Sequence, residues 1–198
     1  MDIETFTGGP LDVNTYVITH AGQAVIVDPG VPPEKLHLPE SVKVAAILLT
    51  HGHVDHILYL PYWQKRKVPV YIHEKDAAYL IQPELNVSWM VGGNLQVGEA
   101  DILITEEREL EIGGMQFTVL HTPGHTPGSV CYLTQDSLFS GDTLFSCGYG
   151  RTDLPGGNER EMHASLKRLM ALDPAIRVYP GHGRGTTISA ERKYAIFY

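Results

Sequence analysis

The 198-residue chain is 43% hydrophobic and 19% charged, enough apolar content for a buried core and too little charge for a disordered chain. A formal net charge of −8, with Lys65-Arg66-Lys67 as the longest basic run, disfavours nucleic-acid binding. Met1-Asp2-Ile3-Glu4 is not a basic leader, and no apolar run approaches the ~18 residues of a membrane span. The expectation is therefore a cytoplasmic chain without nucleic-acid or membrane partners, forming one domain over residues 1–198.

In chain order, Val13 to Thr19 and Ala24 to Val27 read as strands joined by a hairpin turn at Ala21-Gly22-Gln23. Pro32, Pro33 and Pro39 leave room for about one helical turn. Val44 to Leu49 is an apolar run of strand length. Pro61 opens a short helix through Lys65, Val68 to Ile72 is a strand, and Glu74 to Gln82 is helical up to Pro83. Residues 84 to 105 have no sustained periodicity and read as a loop over a pocket. From Glu109 the pattern is β again: a hairpin at Gly113-Gly114, then Gln116 to His121, Val130 to Leu133 and Leu138 to Ser140. Asn158 and Glu161 form a capping box for a helix with Met162, Leu166, Leu169 and Met170 on one face, and Ile176 to Tyr179 is a last strand.

The chemistry gathers after these strands. Thr50-His51-Gly52-His53-Val54-Asp55-His56 puts four potential metal ligands into six residues, a density that packing does not explain. Imidazole nitrogen with carboxylate oxygen suits zinc, iron or manganese. Asp28, His125, Asp142 and His182 also follow predicted strands, and strand ends along one sheet edge converge in space. Cys131 and Cys147 occupy no CxxC or zinc-finger spacing and are expected as core thiols. His20, His37, His73, His121 and His163 read as surface or strand-end residues. Tyr149 and Arg151, one loop beyond Asp142, are candidates for contact with an anionic substrate group; Arg151 could equally pair with Asp153 to brace that loop.

His-x-His-x-Asp-His, then Pro123-Gly124-His125-Thr126-Pro127-Gly128, Gly141-Asp142-Thr143 and Pro180-Gly181-His182-Gly183 resemble the metallo-β-lactamase superfamily, and within it the short glyoxalase II-like hydrolases. The resemblance implies a four-layer αββα sandwich with two mixed sheets flanked by helices. It implies two divalent metal ions, zinc foremost, with iron or manganese as alternatives. His51, His53 and His125 would hold one ion and Asp55, His56 and His182 the other, with Asp142 bridging and Asp28 orienting the ligands. The implied activity is hydrolysis of small acyl thioesters by a metal-activated hydroxide, since coordination lowers the pKa of water from 15.7 to about 7, with Asp55 helping to orient it. Formal charges leave such a site net positive, which favours an anionic substrate or transition state.

The pattern departs from the family in three places. The chain ends at Tyr198 without the C-terminal helical domain of longer glyoxalase II enzymes, Ala195-Ile196 stands where Asn-Pro is frequent, and the segment after Asp28 is short. A mononuclear iron persulfide dioxygenase and a non-catalytic metal-binding module are the alternatives. β-Lactam hydrolysis ranks lower, because zinc β-lactamases usually lack a histidine at the position of His56 and carry cysteine where Asp142 stands.

Overall fold

The computed structural model describes residues 1–193; Ala195 and Ile196 lie outside the described residues. Two six-stranded sheets form the centre. The first runs β1 (Asp2–Gly8), β2 (Val13–His20), β3 (Gln23–Val27), β4 (Lys43–Leu48), β5 (Val70–His73), β6 (Ile102–Ile104), each beside the next. It is antiparallel through β3 and parallel from β3 to β6. The second has β7 (Glu109–Ile112), β8 (Met115–His121), β9 (Val130–Thr134), β10 (Ser137–Gly141), β11 (Arg177–Pro180) and β12 (Thr186–Thr187), again in sequence order. Here only β10 and β11 pair in parallel.

Strand alternation builds the layers. Tyr16, Ile18, Val25, Val27, Ala46 and Leu48 face the second sheet and pack on Phe117, Val119, Tyr132 and Phe139. Their neighbours Val17, Ala24, Ile26 and Ile47 point outward against Ile57 of helix α1 (Val54–Ile57) and Leu60 and Trp63 of α2 (Leu60–Lys65). Strands buried on both faces read as continuous apolar runs, which is why β4 lacks a polar-apolar alternation. On the far side, Met162, Leu166 and Leu169 of α3 (Glu159–Leu169) and Ile188 of α4 (Ile188–Glu191) cover Cys131, Leu138 and Val178. The result is the expected αββα sandwich. The Asn158 side chain accepts the Glu161 N–H and starts α3 as its sequence predicts. No helix among the described residues is long and apolar enough to cross a membrane.

Several expectations need correction. β1 has no counterpart in the sequence pattern: it is an edge strand with no fully buried position, and its half-buried Ile3 and Phe6 do not alternate. Glu74–Leu80 is 3₁₀ rather than α-helical; three residues per turn put Asp76 and Tyr79 on one face, and both are buried. Residues 84 to 105 hold a 3₁₀ turn, Ser88–Val91, and strand β6. Cys131 is buried, but Cys147 is exposed, at a left-handed turn (φ 65°) closed by the Phe145–Gly148 bridge.

His73 ends β5, His121 ends β8, and their rings stack across the two sheets at 4.2 Å with 4° between planes. Burial pushes the His73 imidazole down to about 4, with His121 and Lys75 adding to the effect. A histidine with a lowered folded pKa is protonated more readily in the unfolded chain. The stability it contributes is therefore present above the ordinary value near 6.5 and lost as pH falls through the folded value. In chelated protein, the urea midpoint should fall less between pH 6.5 and pH 4 for His73→Phe, which keeps the ring stack, than for wild type. Equal slopes would contradict this.

Candidate metal centre

β3 and β4 run parallel in one sheet and β10 and β11 in the other, so all four deliver their following loops to a shared edge. Backbone bonds tie the sheets there: Val130 N–H to Thr50 C=O at 2.8 Å and Asn14 N–H to Gly181 C=O at 2.7 Å. The tyrosine hydroxyls add two more, Tyr132 to Leu49 C=O at 2.9 Å and Tyr16 to Pro180 C=O at 2.6 Å. Rigid strands thus fix where the loops begin.

The seven candidate ligands meet at this edge. His51, His53 and His125 bring ligand atoms within 4.8 Å of one another, as do Asp55, His56 and His182, and as do His51, His56 and Asp142. Asp142 stands between the first two groups, with Oδ2 3.5 Å from His125 Nε2 and 3.6 Å from His182 Nε2, and Oδ1 3.3 Å from His56 Nε2. Asp55 Oδ2 lies 3.1 Å from His182 Nε2.

A second layer of bonds aims the rings. Asp28, in the left-handed region (φ 53°), accepts from Thr50 N–H at 2.8 Å and from the Thr50 hydroxyl at 2.7 Å, and contacts His56 Nδ1 at 2.9 Å. Because the Thr50 hydroxyl proton goes to Asp28, its oxygen accepts from His51 Nδ1–H at 3.1 Å, leaving His51 Nε2 with a free lone pair. His125 Nδ1–H donates to Arg151 C=O at 2.7 Å, which turns its Nε2 lone pair inward, where it lies 2.8 Å from His53 Nδ1. Two glycines allow the close approach. A Cβ on Gly181 would collide with Asp142 Oδ1 and come within 2.7 Å of His56 Cε1, and one on Gly150 would collide with the Asp142 carbonyl.

Five buried side-chain polar atoms among the described residues have no hydrogen-bond partner, and four of them are here: His51 Nε2, His53 Nε2, His56 Nε2 and Asp142 Oδ1. Buried polar groups in folded chains are nearly always satisfied, so four orphans converging on one point fit cations that would bind them. Burial, reinforced by neighbouring histidines, pushes His51 well below the ordinary imidazole range and His53 down to about 3; burial lowers His125 as well. All three are held neutral, the form that ligates metal. Burial opposes ionisation of Asp55 and Asp142, but His56 foremost outweighs it and holds both below the usual carboxylate range. His56 is raised despite its burial, because Asp55, Asp28 and Asp142 surround it. Against its burial, the side-chain hydrogen bond with Asp55 and the Asp142 charge raise His182 as well. Three neutral imidazoles and two ionised carboxylates fit divalent ions directly, while His56 and His182 would give up a proton to bind one.

Arg151 and Asp153 form a two-pronged exposed pair, with bonds of 2.6 and 2.8 Å, which favours the bracing role. The Tyr149 hydroxyl lies 3.4 Å from His163 Nε2. Asn86 pins the segment after residue 84 beside the site: its carbonyl accepts Val54 N–H at 2.8 Å, and its amide donates to Tyr79 and Leu95 carbonyls, both at 2.9 Å. Asp76, passed over in the sequence, is fully buried directly behind the histidine loops. The run Glu74-Lys75-Asp76 resembles a solvated face, and its only local signal is Tyr79 three residues on.

An αββα sandwich with a buried His/Asp cluster at the common strand edge defines the fold of a metallo-hydrolase. The chain belongs to the metallo-beta-lactamase superfamily, whose family model matches residues 8–182. Among relatives, it is 38% identical to the probable metallo-hydrolase YqgX of Bacillus subtilis, covering 93% of this chain and 91% of that one. It is 33% identical to the hydroxyacylglutathione hydrolase GloC of Haemophilus influenzae, covering 86% and 84%. Among solved structures, BLEG-1, titled a B3 metallo-beta-lactamase, is 40% identical with a TM-score of 0.93 over 99% of both chains. TTHA1623 in a di-iron-bound form is 37% identical with a TM-score of 0.84, over 98% of this chain and 100% of that one.

The glycine contacts give a direct test. Gly181→Ala places a methyl against Asp142 and His56, so it should weaken metal binding by about tenfold or more in chelator competition, the scale of disturbed ligand orientation. Unchanged competition with the fold intact would show that this close approach is not needed.

Proposed function

We propose that this chain hydrolyses small acyl thioesters and binds two divalent ions, zinc or iron, in the clustered site. The observation that carries the reading is the pair of converging ligand groups with unpaired inward atoms, sharing Asp142. His51, His53 and His125 would hold one ion, Asp55, His56 and His182 the other, and Asp142 both. Bound ions of this kind polarise a carbonyl and make water a nucleophile near neutral pH.

The chain's own residues do the positioning. Asp55, with Oδ2 3.1 Å from His182 Nε2, can accept a hydrogen bond from water and aim it. Asp28 and Thr50 fix the imidazoles of His56 and His51 so that neither turns during the reaction. The titratable side chains at the centre of the cluster are the proposed ligands themselves, which suits a leaving group that departs without a proton. A thiolate does; an amine does not. Likeness to GloC, a hydroxyacylglutathione hydrolase, supports the thioester class.

A second reading, β-lactam hydrolysis, draws on the 40% identity with BLEG-1. The amide-like leaving nitrogen makes it the weaker fit to this site. The discriminating experiment runs S-lactoylglutathione and other acyl thioesters beside nitrocefin, and oxygen uptake with glutathione persulfide, on one preparation of stated metal content. Thioesters should be turned over with kcat/KM at least about a hundredfold above nitrocefin, roughly 3 kcal/mol of discrimination, and without oxygen uptake. Asp142→Ala should lower this activity and the bound metal more than His182→Ala does. No thioester turnover with both ions bound would sink the substrate class. Nitrocefin as the better substrate would install the second reading.

A further inference from the structure

Asp76 sits on the 3₁₀ segment Glu74–Leu80, outside the ligand loops, with no exposed surface. Its Oδ2 accepts Gly52 N–H at 3.0 Å and the Thr126 hydroxyl at 2.7 Å, and its Oδ1 accepts Gly128 N–H at 2.7 Å. All three donors are neutral. Gly52 lies between His51 and His53, and Thr126 follows His125. One carboxylate therefore grips both loops that supply the first ligand group.

The contacts leave no slack. A Cβ on Gly128 would come within 2.7 Å of the Asp76 carboxyl carbon and backbone nitrogen, and one on Gly52 would collide with Tyr79. Tyr79, one 3₁₀ turn along, sets its ring 5.8 Å from that of His53 and donates to Pro155 C=O at 2.9 Å. None of the three donors to Asp76 lies on α1 or on the loop of His182. Asp28, another buried carboxylate, acts on Thr50 and His56 instead. A neutral hydroxyl or amide could meet part of this pattern. Only a carboxylate accepts from three donors on two oxygens with no donor of its own to misplace.

We propose that Asp76 is a positioning residue for the first ligand group alone: by clamping Gly52, Thr126 and Gly128 it sets how tightly His51, His53 and His125 hold their ion. The proposal rests on the two-ion reading above. Asp76 touches neither ion nor substrate. Replacing one oxygen with an amide aims an N–H at another N–H, so Asp76→Asn spreads the two loops while the group Asp55, His56 and His182 keeps its own supports.

The test is a stepwise titration of the chelated full chain with Co²⁺, followed by its visible absorption, in single and paired variants. Wild type should take up two ions. Asp76→Asn should weaken one of them by about tenfold or more and leave the other within about twofold. In the His182→Ala background, where the first group remains, the Asp76→Asn effect should persist; in the His53→Ala background it should vanish. A general loss of packing would weaken both ions in every background and would overturn the proposal. So would two ions bound by Asp76→Asn as tightly as by wild type. Should Asp76→Asn not fold, Thr126→Val removes one of the three bonds and should weaken the same ion several-fold; no change there also overturns it. Uptake of fewer than two ions by wild type is a different failure, that of the two-ion reading itself.

Discussion

Leaving a buried polar atom without a partner costs about 1–3 kcal/mol, and this fold places four such atoms together at one sheet edge. A typical domain is stable by only about 5–15 kcal/mol, so these atoms call for a partner that the chain itself does not supply. The chain offers little relief: His56 Nε2 and Asp142 Oδ1 face each other at 3.3 Å, and His51 Nε2 and His53 Nε2 have no partner in the chain. Proposed cations would supply it, because His51 Nε2, His53 Nε2 and the Asp142 oxygen present lone pairs to the same small space, and a cation would displace the proton of His56 there. This single requirement explains why the neighbouring groups are so strictly arranged: Thr50 spends its proton on Asp28 and its lone pair on His51, and His125 spends its other nitrogen on the Arg151 carbonyl.

The scaffold meets the requirement with rigidity rather than with extra ligands. Both sheets send parallel strands to the same edge, and four cross-sheet bonds from Val130, Asn14, Tyr132 and Tyr16 lock their ends together. The ligand loops are consequently short departures from fixed points. Carboxylates buried behind them, Asp28 on one side and Asp76 on the other, hold what the strands do not reach. Glycines at 150 and 181 let backbone replace side chain where the space runs out.

The sequence exposes what depends on local pattern. β4 is visible as an apolar run because both its faces are buried, α3 because its stripe and Asn158 cap are contiguous, and the ligands because histidines rarely crowd so densely. It conceals what depends on distant partners. β1 half-buries only the side chains of Ile3 and Phe6, which do not alternate, and it is held as a strand by its pairing with β2. Asp76 is one charge among three in a polar run until the His125 loop, some fifty residues on, folds over it. Cys147 looks like a core thiol until Glu191 anchors its backbone N–H at 2.9 Å in a turn that faces outward. Arg151 suits either an anionic substrate group or Asp153 by its sequence position, and the fold pairs it with Asp153 through two bonds.

Substrate preference follows from this architecture only through the ions it is proposed to hold, so the account stands or falls on their number. The most direct measurement is the metal content of the purified wild-type chain, by plasma mass spectrometry after exchange into metal-free buffer and again after reconstitution with zinc or iron. Close to two ions per folded chain is the predicted result. One ion or none, in protein that is folded and has been offered excess metal, would contradict it.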